Sequence, residues 1–117
     1  MATISSHILN PVDGTHAGGV QVDCARVESD GTRTAVFSVE SGPDGRIGAE
    51  VDTSADAPDC EYELAFHTGA YFDAHGPAET ARPIRSLVFR VKLPADDGKF
   101  HMPVIAAPHG YSVWWSK

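Results

Sequence analysis

Apolar and polar residues alternate one for one through much of this sequence, and a period of two restricts the fold more than any other feature. Val20-Gln21-Val22-Asp23-Cys24, Glu61-Tyr62-Glu63-Leu64 and Leu87-Val88-Phe89-Arg90-Val91-Lys92-Leu93 all follow it. This is the pattern of a strand with one face buried and the other toward solvent. Residues 3–9, 34–39, 46–51 and 100–106 read as further short strands. Between the runs lie Pro11-Val12-Asp13-Gly14, Ser29-Asp30-Gly31, Gly42-Pro43-Asp44-Gly45, Asp56-Ala57-Pro58-Asp59 and Asp96-Asp97-Gly98. These are turn sequences, because glycine supplies positive φ while Asp and Pro bias the neighbouring dihedrals. Seven or eight short strands at such spacing predict an all-β antiparallel sandwich, with at most one short helix, over 68–76. The 117 residues suffice for a single domain, 1–117, and not for two.

Charge narrows the range of partners. Lys and Arg number 9 against 16 Asp and Glu, a formal charge of −7, and the basic residues are scattered. Such a chain lacks the electrostatic footprint that holds a polyphosphate, so nucleic acid is not an expected partner. No apolar run approaches the roughly 18 residues that cross a bilayer. Met1-Ala2-Thr3-Ile4-Ser5-Ser6 has neither the basic nor the apolar region of a leader. The expectation is a soluble, cytoplasmic protein with no membrane partner. Cys24 and Cys60 are too few for a disulfide framework and wrongly spaced for a zinc knuckle, so both read as free thiols.

Alternation also assigns side chains to faces. Ile4, Ser6 and Ile8 share one face of the first strand, and Ser5, His7 and Leu9 the other. In the last strand Phe100, Met102 and Val104 oppose His101, Pro103 and Ile105. Both faces of both strands carry large apolar residues, where a solvated outer face would be polar. Another copy of the chain is the simplest cover, since most soluble oligomers are symmetric homo-oligomers. Histidines stand at 7, 16, 67, 75, 101 and 109; none forms an i,i+4 ligand pair on a helix, and no cysteine lies at ligand spacing to them. A nucleophile elbow, a phosphate-binding glycine loop and an acid pair in an identifiable cleft are missing too. What remains is outward-facing His7 and His101, Arg46 in the turn Gly45-Arg46-Ile47-Gly48, and an aromatic tail. Taken singly, a strand histidine is a solvated or hydrogen-bonded side chain, a turn arginine a surface charge, and adjacent tryptophans an interface or core plug.

Taken in order, the same residues resemble a known family. Ser6-His7-Ile8-Leu9-Asn10, followed by Gly14 and Ala17-Gly18-Gly19-Val20, resembles the opening of the transthyretin-like family of 5-hydroxyisourate hydrolases. Gly45-Arg46 fits its arginine turn, and Tyr62-Glu63-Leu64-Ala65-Phe66-His67-Thr68-Gly69-Ala70-Tyr71-Phe72 is similar to its central strand and aromatic turn. Phe100-His101-Met102-Pro103-Val104 and Pro108-His109-Gly110-Tyr111-Ser112 are similar to its carboxyl-terminal signature. The resemblance spans nearly the whole chain. It implies a transthyretin-like Greek-key sandwich, a homotetramer assembled as a dimer of dimers, and active sites in a channel at the interface between dimers. It also implies a purine-derived small-molecule substrate, no metal or organic cofactor, and catalytic groups at His7, Arg46 and His101.

Such an enzyme opens the six-membered ring of 5-hydroxyisourate by attack of water on the C6 carbonyl, a step of urate degradation. Water is a poor nucleophile at neutral pH, so a neutral imidazole is the natural general base. We assign His101 as proton acceptor and His7 as the group orienting water or substrate, with Arg46 offering a planar fork to the carbonyl oxygen. Typical members of that family end in Tyr-Arg-Gly-Ser, whereas this chain ends in Trp114, Trp115, Ser116 and Lys117, so Trp115 stands where the arginine would. Tyr111, Ser112, Trp114 and Trp115 are the expected substrate contacts. An indole offers a face that stacks on a planar ring or packs on methyl groups, and a hydrophobic pocket gains roughly 1–3 kcal/mol per methyl-sized group. The expected substrate is therefore 5-hydroxyisourate or an N-methylated analogue, such as trimethyl-5-hydroxyisourate from methylxanthine catabolism. Two other readings of the tail stay open: a non-catalytic carrier of a planar aromatic ligand in the same channel, and an interaction patch for a protein partner.

Overall fold

The computed structural model describes residues 1–76, 82–93 and 98–116, and in its first strand the period of two becomes a period of burial. In β1 (Ala2–Asn10) every second residue from Ala2 is buried and those between are half-buried. The chain continues through β2 (Thr15–His16), β3 (Gln21–Val27), β4 (Arg33–Glu40), β5 (Arg46–Val51) and β6 (Glu61–Phe66). It then forms α1 (Thr68–His75), β7 (Leu87–Val91), β8 (Lys99–His101), β9 (Val104–Ala107) and β10 (Gly110–Val113). One sheet has the order β4-β3-β6-β7 and is antiparallel throughout. The other is built around β1. Along one edge of β1, β5 and then β2 pair antiparallel; along the other, β8 and then β9 run parallel to it, and β10 pairs antiparallel beyond β9.

The β-sandwich and the helix within 68–76 agree with the sequence reading, while the strands are more numerous than seven or eight for local reasons. The run 100–106 is cut at Met102 and Pro103, where proline has no N–H to donate to a ladder. β10 takes up residues that read in the sequence as turn and tail, and β2 is too short to give a periodic signal. Asp96 and Asp97 of the last expected turn, and the terminal Lys117, lie outside the described residues.

Between the sheets the core gathers Ile4, Ile8, Val20, Val22, Tyr62, Leu64, Phe66 and Val104, each at most 1% exposed. Cys24 and Cys60 are free and buried, and burial pushes the Cys24 thiol up to about 12, far from the range of a reactive thiolate. No helix among the described residues is long and apolar enough to cross a membrane. Ser6 interrupts the apolar face of β1, and its hydroxyl donates to the Met102 carbonyl at 2.6 Å, tying β1 to the chain where the ladder breaks. Ser6→Ala leaves that contact unmade, at an expected cost of about 1–3 kcal/mol. The loss should appear as a lower urea midpoint at unchanged m value.

Candidate active site

A glycine sets the site's geometry. Gly45 ends the turn before β5 with φ +75°, and its carbonyl accepts the Ile8 amide at 2.7 Å. A Cβ there would stand 2.3 Å from the Ile8 carbonyl oxygen and 3.3 Å from the His16 Cβ. Only a residue without a side chain lets the turn press this closely on β1 and β2. Arg46, the next residue, has its amide capped by the Asp44 carboxylate at 3.0 Å and lies directly opposite His7. Side chains so paired have Cβ atoms about 4.5–5.5 Å apart.

The remaining groups follow from strand register. Ser5 has Gly48 on one side and His101 on the other, and Leu9 has His16 on one side and Ile105 on the other. His7, Arg46 and His101 therefore share the outer face of the β1 sheet, with His7 and His101 diagonal neighbours roughly 8 Å apart by strand spacing and rise. The tail extends the same lattice. Ser112 pairs with Ile105, the Trp114 amide donates to Pro103 at 3.4 Å and the Ser116 amide to His101 at 2.8 Å. Alternation along this strand places Ser112, Trp114 and Ser116 on the histidine face and Tyr111, Val113 and Trp115 on the other.

Side-chain contacts agree with that assignment. Tyr111 packs edge-on against Phe89 of the second sheet, ring centroids 5.7 Å apart. Trp115 stacks on Phe100 with centroids 6.2 Å apart and planes at 14°, in a groove with Lys92 and Leu93. Within one chain, then, Ser112 and Trp114 share the face of the histidines, while Tyr111 and Trp115 stand on the other. One step along a strand reverses a side chain, and it is Trp114, 47% exposed, that stands on the histidine face.

Each histidine has a partner. The Ser5 hydroxyl meets His101 Nδ1 at 2.7 Å, directing Nε2 as the nitrogen for a ligand or water. His7 Nε2 meets His16 Nδ1 at 2.9 Å, the ring planes 24° apart and the centroids 4.9 Å apart. Desolvation, then the Arg46 guanidinium and His16, hold His7 below the usual imidazole range, opposed by the backbone and carboxylate of Asp44. His7 is accordingly neutral at pH 7. Sequence reasoning missed both partners. Alternation put Ser5 on the face of His7, but its contact with His101 needs the parallel register. His16 sits in a strand of two residues that carries no pattern of its own.

Two other features lie apart from this face. His67 meets Ser86 through Nδ1 at 2.9 Å and Asp23 through Nε2 at 2.8 Å, while Asp23 also accepts from Ser38 and Gln21. That carboxylate is shared among three partners, and the chain of bonds ties β3 to β4, to the start of α1 and to the segment before β7. A concavity of about 570 Å³ is an open depression on the second sheet lined by Asp23, Arg33, Phe37, Ser38 and Glu63. It is remote from His7 and His101. Among the described residues no three His, Cys, Asp or Glu side chains converge to hold a metal ion.

Fold and face together define a two-sheet β-sandwich protein that presents imidazoles beside a guanidinium, a set suited to acid–base chemistry. The chain belongs to the HIUase/Transthyretin family, which matches residues 4–115. It is 30% identical over 112 residues to 5-hydroxyisourate hydrolase 2 of Rhizobium meliloti, covering 95% of this chain and 92% of the relative. The structure of Klebsiella pneumoniae 5-hydroxyisourate hydrolase matches with a TM-score of 0.74 at 30% identity, covering 100% of both chains. Transthyretin from Sparus aurata matches with a TM-score of 0.75 at 24% identity over 97% of this chain and 95% of its own, a likeness of fold alone.

Proposed function

We propose that this chain is a 5-hydroxyisourate hydrolase, opening the six-membered ring of 5-hydroxyisourate or of an N-methylated analogue by attack of water on the C6 carbonyl. The observation that carries the reading is the convergence of His7, Arg46 and His101 on one sheet face. Its support from kinship is the 30% identity, across nearly the whole chain, to a protein named for this activity. His101, with Nδ1 held by Ser5, takes the proton from water through Nε2. Arg46 donates to the carbonyl oxygen as charge develops there. Neutral His7, opposite Arg46, orients water or the ring. The face is open in one chain and bordered by Leu9, Ile105 and Trp114, so we place a second copy over it, in a tetramer whose interface encloses the substrate.

Trp114 rather than Trp115 supplies the apolar surface for N-methyl groups in this reading. The experiment generates 5-hydroxyisourate and its trimethyl analogue in situ with the corresponding oxidases and follows ultraviolet decay with and without the protein. Acceleration of at least one decay is expected; unchanged decay of both would refute the activity. Trp114→Arg should move the ratio of kcat/KM toward the unmethylated compound by about tenfold, within what one methyl-sized contact can supply. Trp115→Arg should leave the ratio within about twofold on the same scale, and the reverse ranking would return the role to Trp115.

A further inference from the structure

We propose that His16 is a positioning residue for His7, fixing the orientation of that imidazole through the contact between His16 Nδ1 and His7 Nε2 at 2.9 Å. The inference rests on the hydrolase reading above, since it gives His16 a part in that reaction.

The backbone of His16 is anchored to β1 and to the turn before it. It pairs with Leu9, and the next amide, of Ala17, donates to the Ile8 carbonyl at 2.9 Å. The preceding turn is locked as well, by the Gly14 amide on Asn10 at 3.0 Å and by Asp13 accepting the Thr15 amide and hydroxyl at 3.0 and 2.6 Å. Beside it the bare Cα of Gly45 leaves room for the His16 Cβ. With the backbone fixed, two side-chain torsions decide where the ring of His16 lies, and the contact with His7 holds them.

The chemistry of the contact is selective. A hydrogen bond between two imidazole nitrogens needs one N–H and one lone pair, and two protonated rings offer only donors. The pair therefore persists only while at least one ring is neutral. Arg46 from β5 and Asp44 from the preceding turn also face His7, with Ser5 and Leu9 on its own strand and His101 on the same sheet face. Arg46 and His16 push its proton off while Asp44 holds it. Removing His16 then lets His7 protonate at higher pH and frees its ring to turn.

The test compares His16→Ala and His16→Asn in the full chain, because an asparagine side-chain nitrogen occupies nearly the place of Nδ1. His16→Ala is expected to lower kcat by about 10- to 100-fold, the scale of a misplaced catalytic group. KM should change by no more than about twofold, since the contact to substrate is indirect, and the acid limb of the pH profile should move to higher pH. His16→Asn should restore most of kcat. Melting temperatures should match wild type, since His16 is exposed. A profile of His16→Ala that superposes on wild type would overturn the proposal, and so would equal impairment of the Ala and Asn variants. If wild type opens neither substrate, the hydrolase reading falls, and NMR titration of the His7 ring still decides the contact. A titration moved to higher pH in His16→Ala supports the coupling, and an unmoved one refutes it.

Discussion

His101→Asn is expected to lower kcat/KM for ring opening by about 10²- to 10⁴-fold, the contribution of a positioned general base. Asparagine keeps a polar atom where His101 Nδ1 meets Ser5, so the strand contact at 2.7 Å has a substitute. It has nothing in place of Nε2. The loss should fall on kcat, with the melting temperature unchanged, because the residue is half-buried on an outer face and contributes no apolar core. Ser5→Ala gives a useful contrast: it keeps the base and frees its ring, so it should cost less than His101→Asn. Equal kcat/KM for His101→Asn and wild type would remove His101 from the reaction.

Gly45→Ala is the second large effect, and it reaches both stability and activity. Positive φ at a non-glycine residue costs about 1–3 kcal/mol, and here the new Cβ would also lie 2.3 Å from the Ile8 carbonyl oxygen. The turn must move, and the bond from the Ile8 amide to the Gly45 carbonyl goes with it. A total of about 3 kcal/mol or more is expected, from strain plus a lost buried hydrogen bond. Gly14→Ala is the control: its φ is +76°, but no atom lies within 4 Å of the added carbon, so it should cost the backbone strain alone. Because Gly45 sets Arg46 against His7, kcat/KM should also fall by about 100-fold at temperatures where the variant is folded. Urea titration and initial rates measured on both variants separate the two effects.

Much of this arrangement is legible in the sequence because a strand has only two faces. The period of two alone placed Ser5, His7 and Leu9 opposite Ile4, Ser6 and Ile8, and the burial of β1 follows it residue by residue. The helix at Thr68–His75 lies where alternation stops. What periodicity could not supply was register. That His101 lies beside Ser5 depends on β8 running parallel to β1, a long-range pairing with no local signal. The tail shows the same limit. Trp114 and Trp115 are indistinguishable by composition, and only the pairing of β10 with β9, carried on to the bridge between His101 and Ser116, decides which indole stands on the histidine face. Pro103 had a readable consequence that simple alternation conceals: it splits one apparent strand into β8 and β9.

The most direct measurement is a crystal structure with a stable, planar urate analogue that cannot be hydrolysed. The ring should lie on the outer face of the β1 sheet, with Arg46 and His101 Nε2 within about 3 Å of its polar edge, Trp114 alongside and Trp115 still stacked on Phe100. An analogue seated instead in the depression between β3, β4 and β6, against Arg33 and Phe37, with the histidine face untouched, would contradict it.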